Sequence, residues 1–352
     1  MPTTGAKILG LSTGHPGLPV SQDDLYTTFY ADFYRDVPDA EKIFKASQVH
    51  TRYLAWDPRE HFTGPATPGM QQRMDGWEEH VLALGAETVG ALLKGVDAAD
   101  IGSFTMASCT GYAGPTPEML LAKRFGLPVH LRRTFVGHMG CYAAFNALKV
   151  GLDSVAARPG ELAIVSCCEV CSVHVRPEMT KEQVVVHSLF GDGAAAVLLG
   201  ADDGVGPAIV RTHTETHYAT PEAMTWRVRD DAFRMTLSAY VPAILAGAVE
   251  TFVENLLRPV GLRRQDVSQW GIHPGGPKII DLIGARLELT EAHLAASRHV
   301  LASRGNCSSA TILLILEQLL SGRHGQAPRA GEFGVLMAFG PGLTMESALV
   351  RF

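Results

Sequence analysis

The chain has 352 residues, a formal net charge of −6, and 46% hydrophobic against 19% charged residues. This length and composition support a large buried core, in two domains or one large α/β unit, and exclude a disordered chain. The net negative charge without a long basic run disfavours nucleic acid as a partner. No run of 18 apolar residues is present in the sequence, so we expect no membrane span.

The beginning of the chain and its cysteines bear on the compartment. The first residues lack a charged segment followed by a long apolar one, so we expect no signal peptide. The six cysteines lie in apolar or glycine-rich segments without the spacing of a disulfide scaffold. We therefore expect free thiols and a cytoplasmic protein. Cys168 and Cys171 have C-x-x-C spacing, but no second pair accompanies them, so we expect no metal site.

The first hundred residues predict mostly helices. A strand is expected over 7–12, helical segments over 23–34 and 41–46, and a loop rich in Pro and Gly over 56–72. Apolar residues at helical spacing predict a long helix over 75–93.

From residue 103 onwards strands and helices alternate, which is typical of a layered α/β fold with a largely buried sheet. Strands are predicted over 103–107, 130–135, 161–167, 194–199, 209–214, 269–272, 333–338 and 345–351. Helices are predicted over 117–125, 141–157, 241–257, 278–287, 291–300 and 308–320.

A weak internal repeat divides the chain. The pattern F-G-x-G occurs at 190–193 and again at 339–342, each time before a strand. In each half an earlier strand ends in a polar glycine turn, and a helix that begins with small residues follows. These similarities favour two duplicated halves, 1–203 and 204–352, of which the first carries a candidate nucleophilic cysteine.

Cys141 is that cysteine. It follows a predicted strand and Gly140 and begins an alanine-rich helix. The unpaired N–H groups and positive dipole end of a helix N-terminus favour a thiolate. The simpler interpretation is a buried cysteine that acts as a small hydrophobic residue.

His273 and Asn306 are the other two candidates. His273 ends a predicted strand and precedes Pro-Gly-Gly, so its side chain projects from a strand end. Asn306 lies in the turn before a strongly apolar helix, where an ordinary helix cap is the simpler interpretation. Capping and catalysis are compatible in the same turn.

Cysteine, histidine and asparagine together suit thioester condensation. A thiolate carries the acyl chain, and neutral donors such as an imidazole N–H and an amide stabilise the oxygen of an enolate. The same three residue types also suit papain-like hydrolysis. The absence of a C-G-S-C-W pattern and of a secretory segment disfavours a protease.

Five segments resemble type III polyketide synthases, the chalcone synthase-like family. They are VGHMGCYAAF around Cys141, LFGDGAAAVLLG at 189–200, GIHPGGPKIID at 271–281, RGNCSSATILLILE at 304–317 and FGPGLTMESALV at 339–350. They follow one another in family order from the middle of the chain to its end. The first hundred residues match mainly through FKASQVHTRYL.

The resemblance implies a thiolase-like, five-layered αβαβα fold and a homodimer. It implies that a starter acyl-CoA acylates Cys141, and that His273 and Asn306 promote decarboxylation of malonyl-CoA. The product implied is a small resorcinol, phloroglucinol or pyrone. No cofactor is implied beyond coenzyme A thioesters as substrates.

The resemblance also assigns the cavity. Phe190 is kept as a gatekeeper, whereas Met235 stands where the family has a second gatekeeper Phe, which indicates a reshaped cavity, for instance for an alkyl starter. Small hydroxyl residues of the plant cavity are replaced by Cys171 and His174. The remaining cavity residues implied are Cys109, Thr110, Ser308, Phe339 and Gly340.

Residues for coenzyme A match in part. Lys42 aligns with a family basic residue, Ala46 stands where Lys is common, and Lys45 offers a substitute. Arg52 and Gly275 complete the candidate set. Because the match is partial, delivery by an acyl carrier protein stays open.

Two alternatives share the Cys-His-Asn set. One is a single-round β-ketoacyl synthase III-like enzyme, and the other is an inactive partner subunit of the same fold. The HPGG, FGPG and GNCSS motifs favour the iterative synthase over the first. The intact Cys141, His273 and Asn306 argue against the second.

Overall fold

The computed structural model describes residues 6–62, 67–176, 178–201 and 205–352. Strands in these ranges alternate with helices for most of the chain. The strands are β1 (Ala6–Gly14), β2 (Val20–Ser21), β3 (Thr51–Arg52), β4 (Ile101–Ser108), β5 (Arg132–Gly137), β6 (Leu162–Glu169), β7 (Gly193–Gly200), β8 (Ala208–Thr216), β9 (Met224–Val228), β10 (Phe233–Leu237), β11 (Val267–Ile272), β12 (Phe333–Gly340) and β13 (Thr344–Arg351).

The helices include the long amphipathic helix that the sequence predicts. They are α1 (Gln22–Leu25), α2 (Ala31–Phe33), α3 (Ala40–Ala46), α4 (Pro58–His61), α5 (Met70–Leu92), α6 (Pro117–Arg124), α7 (Ala143–Ala157), α8 (Lys181–Leu189), α9 (Val241–Leu257), α10 (Pro277–Arg286), α11 (Glu291–Arg304) and α12 (Thr311–Ser321). A π-helical turn, Tyr26–Tyr30, joins α1 to α2. Among the helices described, none is both long and apolar enough to cross a membrane.

Nine strands form one sheet, and its two parts have the same topology. The order is β11-β12-β13-β8-β1-β7-β6-β4-β5. In the first part β1 and β7 are antiparallel, as are β7 and β6, while β6 and β4 are parallel. In the second part β8 and β13, β13 and β12, and β12 and β11 repeat these three relations. The repeated pairing supports the duplication that the sequence pattern predicts.

The two parts meet through a short antiparallel contact of β1 with β8. Buried side chains of α7 and α12 form one apolar cluster with residues from both parts of the sheet. A second cluster lies under α5 and α6, and a third under α9 and α10. The two parts of the sheet thus form two separate layers, with α7 and α12 between them and further helices on the outer face of each part. These five layers confirm the predicted αβαβα architecture.

Most predicted elements are present, but several short ones were missed, including β2 and β3. Helix α9 has the predicted bounds, and α4 interrupts the predicted loop over 56–72, of which residues 63–66 lie outside the described part. Helix α8 and the β9–β10 hairpin were not predicted. The predicted boundary between the halves, 203 and 204, also lies outside the described residues and stays a prediction.

Candidate active site

Cys141 lies where the edge strand β5 turns into the central helix α7. It occupies a 3₁₀ turn, Gly140–Tyr142, and only 4% of its surface is exposed. Gly140 has φ 78°, and a Cβ there would lie 2.5 Å from Pro341 Cδ. The glycine before the cysteine is therefore required both by its backbone conformation and by the close approach of Pro341.

Asn306 joins the two halves of the molecule. Its backbone N–H donates to the carbonyl of Leu189 (2.8 Å), and its carbonyl accepts from Gly191 N–H (3.0 Å). These bonds form an isolated parallel bridge between Phe190 and Asn306. Because residues 189–191 belong to the first half, the bridge fixes the asparagine of the second half next to Cys141.

The amide of Asn306 has a defined orientation. Its Oδ1 accepts from the backbone N–H of Ser308 at 2.8 Å, as in a helix cap. Its Nδ2 lies 3.8 Å from the sulfur of Cys141. Oδ1 lies 3.9 Å from the same sulfur, so both amide atoms face Cys141. Because the oxygen already accepts from Ser308, the N–H₂ group is the part of the amide that remains able to donate there. Capping and a place in the site therefore coincide in this residue.

His273 follows β11 directly, as the strand end predicts. Its backbone N–H is bonded to Met337, and its side chain is almost fully buried. Among the described residues neither ring nitrogen has a hydrogen-bond partner. Buried polar atoms normally have a partner, so an unengaged imidazole in a cavity wall is suited to bind a substrate.

One chamber contains all three candidate side chains. Its remaining wall is mostly apolar: Phe190, Met224, Met235, Leu237, Gly275, Ile279 and Phe339. A sulfur, an imidazole and a carboxamide from distant segments of the sequence thus line one buried chamber.

Burial keeps the chamber uncharged. Desolvation raises the pKa of the Cys141 thiol, against the opposing hydrogen bonds from Asn306 and Ser308. Desolvation also lowers the pKa of His273, so the imidazole is neutral in the free protein. The helix N-terminus expected to favour a thiolate is thus outweighed by burial, because a low-dielectric site disfavours an isolated charge. A thiolate here requires a proton acceptor close by.

Two protein-family models match most of the chain. Residues 2–203 match the model "Chalcone and stilbene synthases, N-terminal domain", and residues 211–352 match the model "Chalcone and stilbene synthases, C-terminal domain". The chain belongs to the chalcone and stilbene synthase family. It is therefore a type III polyketide synthase, an acyltransferase with a thiolase-like fold.

Individual relatives are similar to this protein along nearly its whole length. The 3,5-dihydroxyphenylacetyl-CoA synthase of Streptomyces toyocaensis is 34% identical, over 98% of this chain and 90% of that protein. The alpha-pyrone synthesis polyketide synthase-like Pks18 of Mycobacterium tuberculosis is 34% identical, over 99% and 91%. The crystal structure of PKS-I from the brown alga Ectocarpus siliculosus superposes with a TM-score of 0.90 at 27% identity, over 98% of each chain.

A second, larger cavity of the synthase lies next to the chamber. Cys141, Phe190 and Met235 line both. The two residues expected as gatekeepers thus stand with the cysteine at the junction. Its wall also contains the other expected cavity residues Cys109, Thr110, Cys171, His174 and Ser308.

Two expected cavity residues lie elsewhere. Phe339 lines the small chamber rather than the larger cavity. Gly340 lines neither, and a Cβ on it would lie 2.7 Å from Tyr142 Cδ1. Gly340 therefore allows the close approach of β12 to the turn that holds Cys141, which corrects the expectation of a cavity wall.

The coenzyme A candidates divide into three kinds. Lys42 and Lys45 are exposed and pair with Asp39 and Glu41. Exposed pairs of this kind contribute little stability, so the ammonium groups remain able to bind phosphate. Gly275 instead lines the chamber that contains Cys141, His273 and Asn306.

Arg52 does not fit the expected contact with coenzyme A. Its guanidinium is buried, donates to the carbonyls of His187 and Phe190 at the end of α8, and also bonds Gln22. A cation at a helix C-terminus stabilises the exposed carbonyls there. Arg52 therefore fixes the backbone of Phe190, the expected gatekeeper, from inside the protein.

Two buried carboxylates hold the turns around Cys141. Glu169 accepts from the backbone N–H of Cys109 (2.9 Å) and the hydroxyls of Thr110 (2.8 Å) and Ser309. Asp192, in the F-G-D-G turn, accepts from Ala55 and Ser172. Both are structural: they satisfy backbone and hydroxyl donors that would otherwise be buried without partners.

Sequence reasoning missed several wall residues. Trp226 and Phe233 lie on the hairpin that was not predicted, and Gln183, Val186 and His187 lie on α8. Alternating side chains in MTWRV and FRMTL, separated by a turn containing Asp230 and Asp231, are a signal that could have indicated the hairpin.

Across the described residues no group of His, Cys, Asp or Glu is arranged to hold a metal ion.

We predict that His273→Gln slows alkylation of Cys141 by iodoacetamide about tenfold or more at pH 7. Burial keeps the thiol protonated, and His273 is the basic side chain among the residues that line its chamber, so we expect its removal to leave less thiolate. Mass spectrometry of the peptide that contains Cys141 measures the rate.

The exposed His130 provides the matched control, and His130→Gln is expected to leave the rate unchanged. An unchanged rate in His273→Gln would show that His273 does not accept the thiol proton.

Proposed function

We propose that this synthase loads a starter acyl-CoA on Cys141, extends it with malonyl-CoA and releases a small cyclic product. The observation that supports this most directly is the shared chamber, in which the amide N–H₂ of Asn306 lies 3.8 Å from the sulfur and the His273 ring is unengaged. This set suits acyl transfer and enolate stabilisation at one point.

Loading is a thioester exchange. The sulfur of Cys141 attacks the starter carbonyl while its proton passes to His273, and the bond from that carbonyl to the coenzyme A sulfur breaks. The leaving sulfur takes the proton back from the imidazolium, so His273 returns to the neutral state that burial favours. The products are acylated Cys141 and free coenzyme A.

Extension requires a carbon nucleophile, which decarboxylation generates without a base. Loss of CO₂ from malonyl-CoA leaves an enolate, whose oxygen accepts hydrogen bonds from the neutral His273 ring and from the Asn306 amide. The enolate carbon attacks the acyl carbonyl, the bond to the Cys141 sulfur breaks with that sulfur leaving as a thiolate, and the lengthened chain leaves on coenzyme A. One proton taken up from solvent restores the neutral thiol. Transfer of that chain back to Cys141 permits another round.

Several rounds are favoured over one. A single condensation needs only the chamber, whereas this protein has a larger cavity that continues from the chamber past Phe190 and Met235. A growing chain can occupy that cavity. Two relatives are named for a 3,5-dihydroxyphenylacetyl product and for alpha-pyrone synthesis, and we propose a resorcinol-, phloroglucinol- or pyrone-type product here.

The starter that we propose is an alkyl acyl group. Met235 replaces a rigid aromatic gatekeeper by a flexible apolar chain. Apolar side chains from several elements line the larger cavity, including Leu54, Pro58, Val175 and Val186. The exposed Lys42 and Lys45 support delivery on coenzyme A; an acyl carrier protein is the alternative.

We also propose a homodimer. Strand β5 ends the sheet and pairs only with β4 in the described chain, so its outer edge presents backbone groups for pairing. Large exposed apolar side chains lie in the same stretch of sequence, namely Tyr112, Met119, Val129 and Met139.

Six free cysteines support a reducing, cytoplasmic location.

We predict that Cys141→Ala abolishes incorporation of radiolabelled malonyl-CoA into product with every acyl-CoA offered. Without the sulfur no acyl-enzyme forms. Product analysis by mass spectrometry also decides among the alternatives, since multi-unit cyclic products support the iterative synthase and a single β-keto product supports one round.

Cys168→Ala is the matched control, because Cys168 is equally buried but lines neither cavity. No acylation of Cys141 in the unmodified protein would support an inactive subunit instead. Full turnover by Cys141→Ala would refute the nucleophile assignment.

We predict that Asn306→Ala slows release of CO₂ from malonyl-CoA by about 10²–10³-fold, the usual effect of losing one oxyanion donor. Loading of Cys141 should fall much less, because the amide acts mainly on the enolate. Labelled CO₂ release and the mass of the acylated enzyme measure the two steps separately. Equal losses in both steps would contradict the assignment of Asn306 to decarboxylation.

We predict that Met235→Phe narrows the range of accepted starters. A ring at the junction of the two cavities blocks long alkyl chains but leaves short ones room. Relative kcat/KM over a series of acyl-CoA lengths measures this. Met179→Phe, at an exposed methionine, is the control. An unchanged chain-length preference in Met235→Phe would remove Met235 from the specificity determinants.

A further inference from the structure

The β9–β10 hairpin forms part of the wall of both cavities without belonging to the nine-stranded sheet. Its strands pair only with each other in the described structure. Trp226 and Phe233 line the larger cavity, Met224 and Leu237 line the chamber, and Met235 lines both. Because a lone two-stranded hairpin is marginally stable, its position depends on its contacts with the rest of the protein.

His174 makes one of these contacts with both of its ring nitrogens. The backbone N–H of Phe233 donates to Nδ1 (3.1 Å), and Nε2 lies 2.6 Å from the carbonyl oxygen of Thr110. Only the neutral ring with its hydrogen on Nε2 satisfies both bonds. Desolvation lowers the pKa of His174 to about 3, which keeps the ring in this state.

This bonding leaves no ring nitrogen for the substrate. Acid–base chemistry by His174 on a polyketide is therefore excluded, although the ring lines the cavity. Its hydrogen bonds instead join the hairpin to the turn after β4.

Trp226 makes the neighbouring contact. Its indole N–H donates to the carbonyl of Cys109 at 2.7 Å. The ring of Phe233 stacks on His174, with centroids 4.5 Å apart and planes at 14°, and the Trp226 ring meets His174 edge-on. Two consecutive carbonyls, of Cys109 and Thr110, thus hold the two strands of the hairpin.

The turn that carries these carbonyls is itself fixed beside the nucleophile. Glu169 holds its backbone and the Thr110 hydroxyl, and Gly140 N–H lies 3.0 Å from the Cys109 sulfur. Gly140 directly precedes Cys141. The hairpin wall is therefore positioned relative to the reacting sulfur through a short series of hydrogen bonds.

We propose that His174 is a positioning residue, which fixes the β9–β10 hairpin against the Cys109–Thr110 turn and thereby limits the length of chain that grows from Cys141. The limit on chain length rests on the proposed function; the contact itself does not. A hairpin released from this turn widens the cavity without altering Cys141, His273 or Asn306.

The test compares His174→Phe with His174→Gln. Phenylalanine keeps a flat ring that can stack on Phe233 but removes both hydrogen bonds, whereas the glutamine amide has a donor and an acceptor close together. We expect His174→Phe to speed deuterium exchange at the Phe233 amide about tenfold or more. We also expect the ratio of longer to shorter products from one starter to rise severalfold, with Cys141 loading within twofold. His174→Gln should restore both readouts to within about twofold of the unmodified protein.

Two further variants separate this role from general destabilisation. Val155→Ala, in the central helix α7, weakens the core elsewhere and should leave hairpin exchange and product lengths unchanged. Trp226→Phe removes the indole N–H together with part of the ring that lines the cavity, so it is assessed by deuterium exchange alone. Exchange at the hairpin should rise as in His174→Phe, and Trp226→Phe replaces His174→Phe if that variant does not fold.

Unchanged exchange in both His174→Phe and Trp226→Phe would overturn the proposal. Faster exchange with unchanged product lengths would overturn the limit on chain length. If Cys141 of the unmodified protein takes up no acyl group, the proposed function and the chain-length limit both fall, while deuterium exchange still decides whether His174 holds the hairpin.

Discussion

Two backbone hydrogen bonds between residues 189–191 and Asn306 hold the chamber in its form. They join segments more than a hundred residues apart, one from each half of the fold. A Cβ on Gly305 would lie 2.6 Å from the Leu189 carbonyl, so the approach is as close as a glycine permits. Asn306 is thus placed by main-chain contacts that do not depend on its side chain. The side chain is then free to cap the Ser308 turn with its oxygen and to keep its N–H₂ group beside Cys141.

Burial decides how such a chamber can work. An isolated charge is costly there, and the two carboxylates nearby, Glu169 and Asp192, are occupied with backbone and hydroxyl donors. The free side chains that face the reacting sulfur are therefore neutral in the resting state. Neutral donors bind an enolate oxygen without first having to give up a counter-ion, and they do not attract a carboxylate that must leave as CO₂. Decarboxylative condensation suits this setting better than hydrolysis, which needs an ordered, activated water.

The sequence predicted those parts of the fold that have strong periodicity. Helix α9 was predicted with its observed bounds because its apolar residues recur at helical spacing through the whole segment. Helix α8 was missed because it includes three consecutive valines, Val184–Val186, a composition more typical of a strand. The β9–β10 hairpin was missed because its strands lack the continuous apolar runs typical of strands buried on both faces of a sheet. In both cases tertiary packing decides the structure more than local preference does.

In the candidate site, the sequence predicted the three candidate catalytic residues but not the hydrogen bonds of the residues around them. Cys141, His273 and Asn306 stand at a helix start, a strand end and a cap, and such positions can be recognised in a sequence. The burial of Arg52 could not be, since nothing in its neighbours distinguishes a surface arginine from one that caps a helix inside the protein. The bonds of His174 were equally hidden, because their partners, Thr110 and Phe233, are 64 and 59 residues away. Long-range polar contacts leave no local pattern.

The fold separates the three candidate catalytic side chains from the walls of the larger cavity. Cys141, His273 and Asn306 lie at the ends of elements that the five layers hold rigidly. The walls come from short elements placed on that scaffold: the Cys171–His174 turn, α8 and the β9–β10 hairpin. Each is held by a few side-chain hydrogen bonds, such as those of Arg52, His174 and Trp226, and these bonds do not involve the three reacting groups. Substitutions of these side chains can therefore change cavity shape while the chemistry is preserved, because the side-chain hydrogen bonds that hold the walls do not include Cys141, His273 or Asn306.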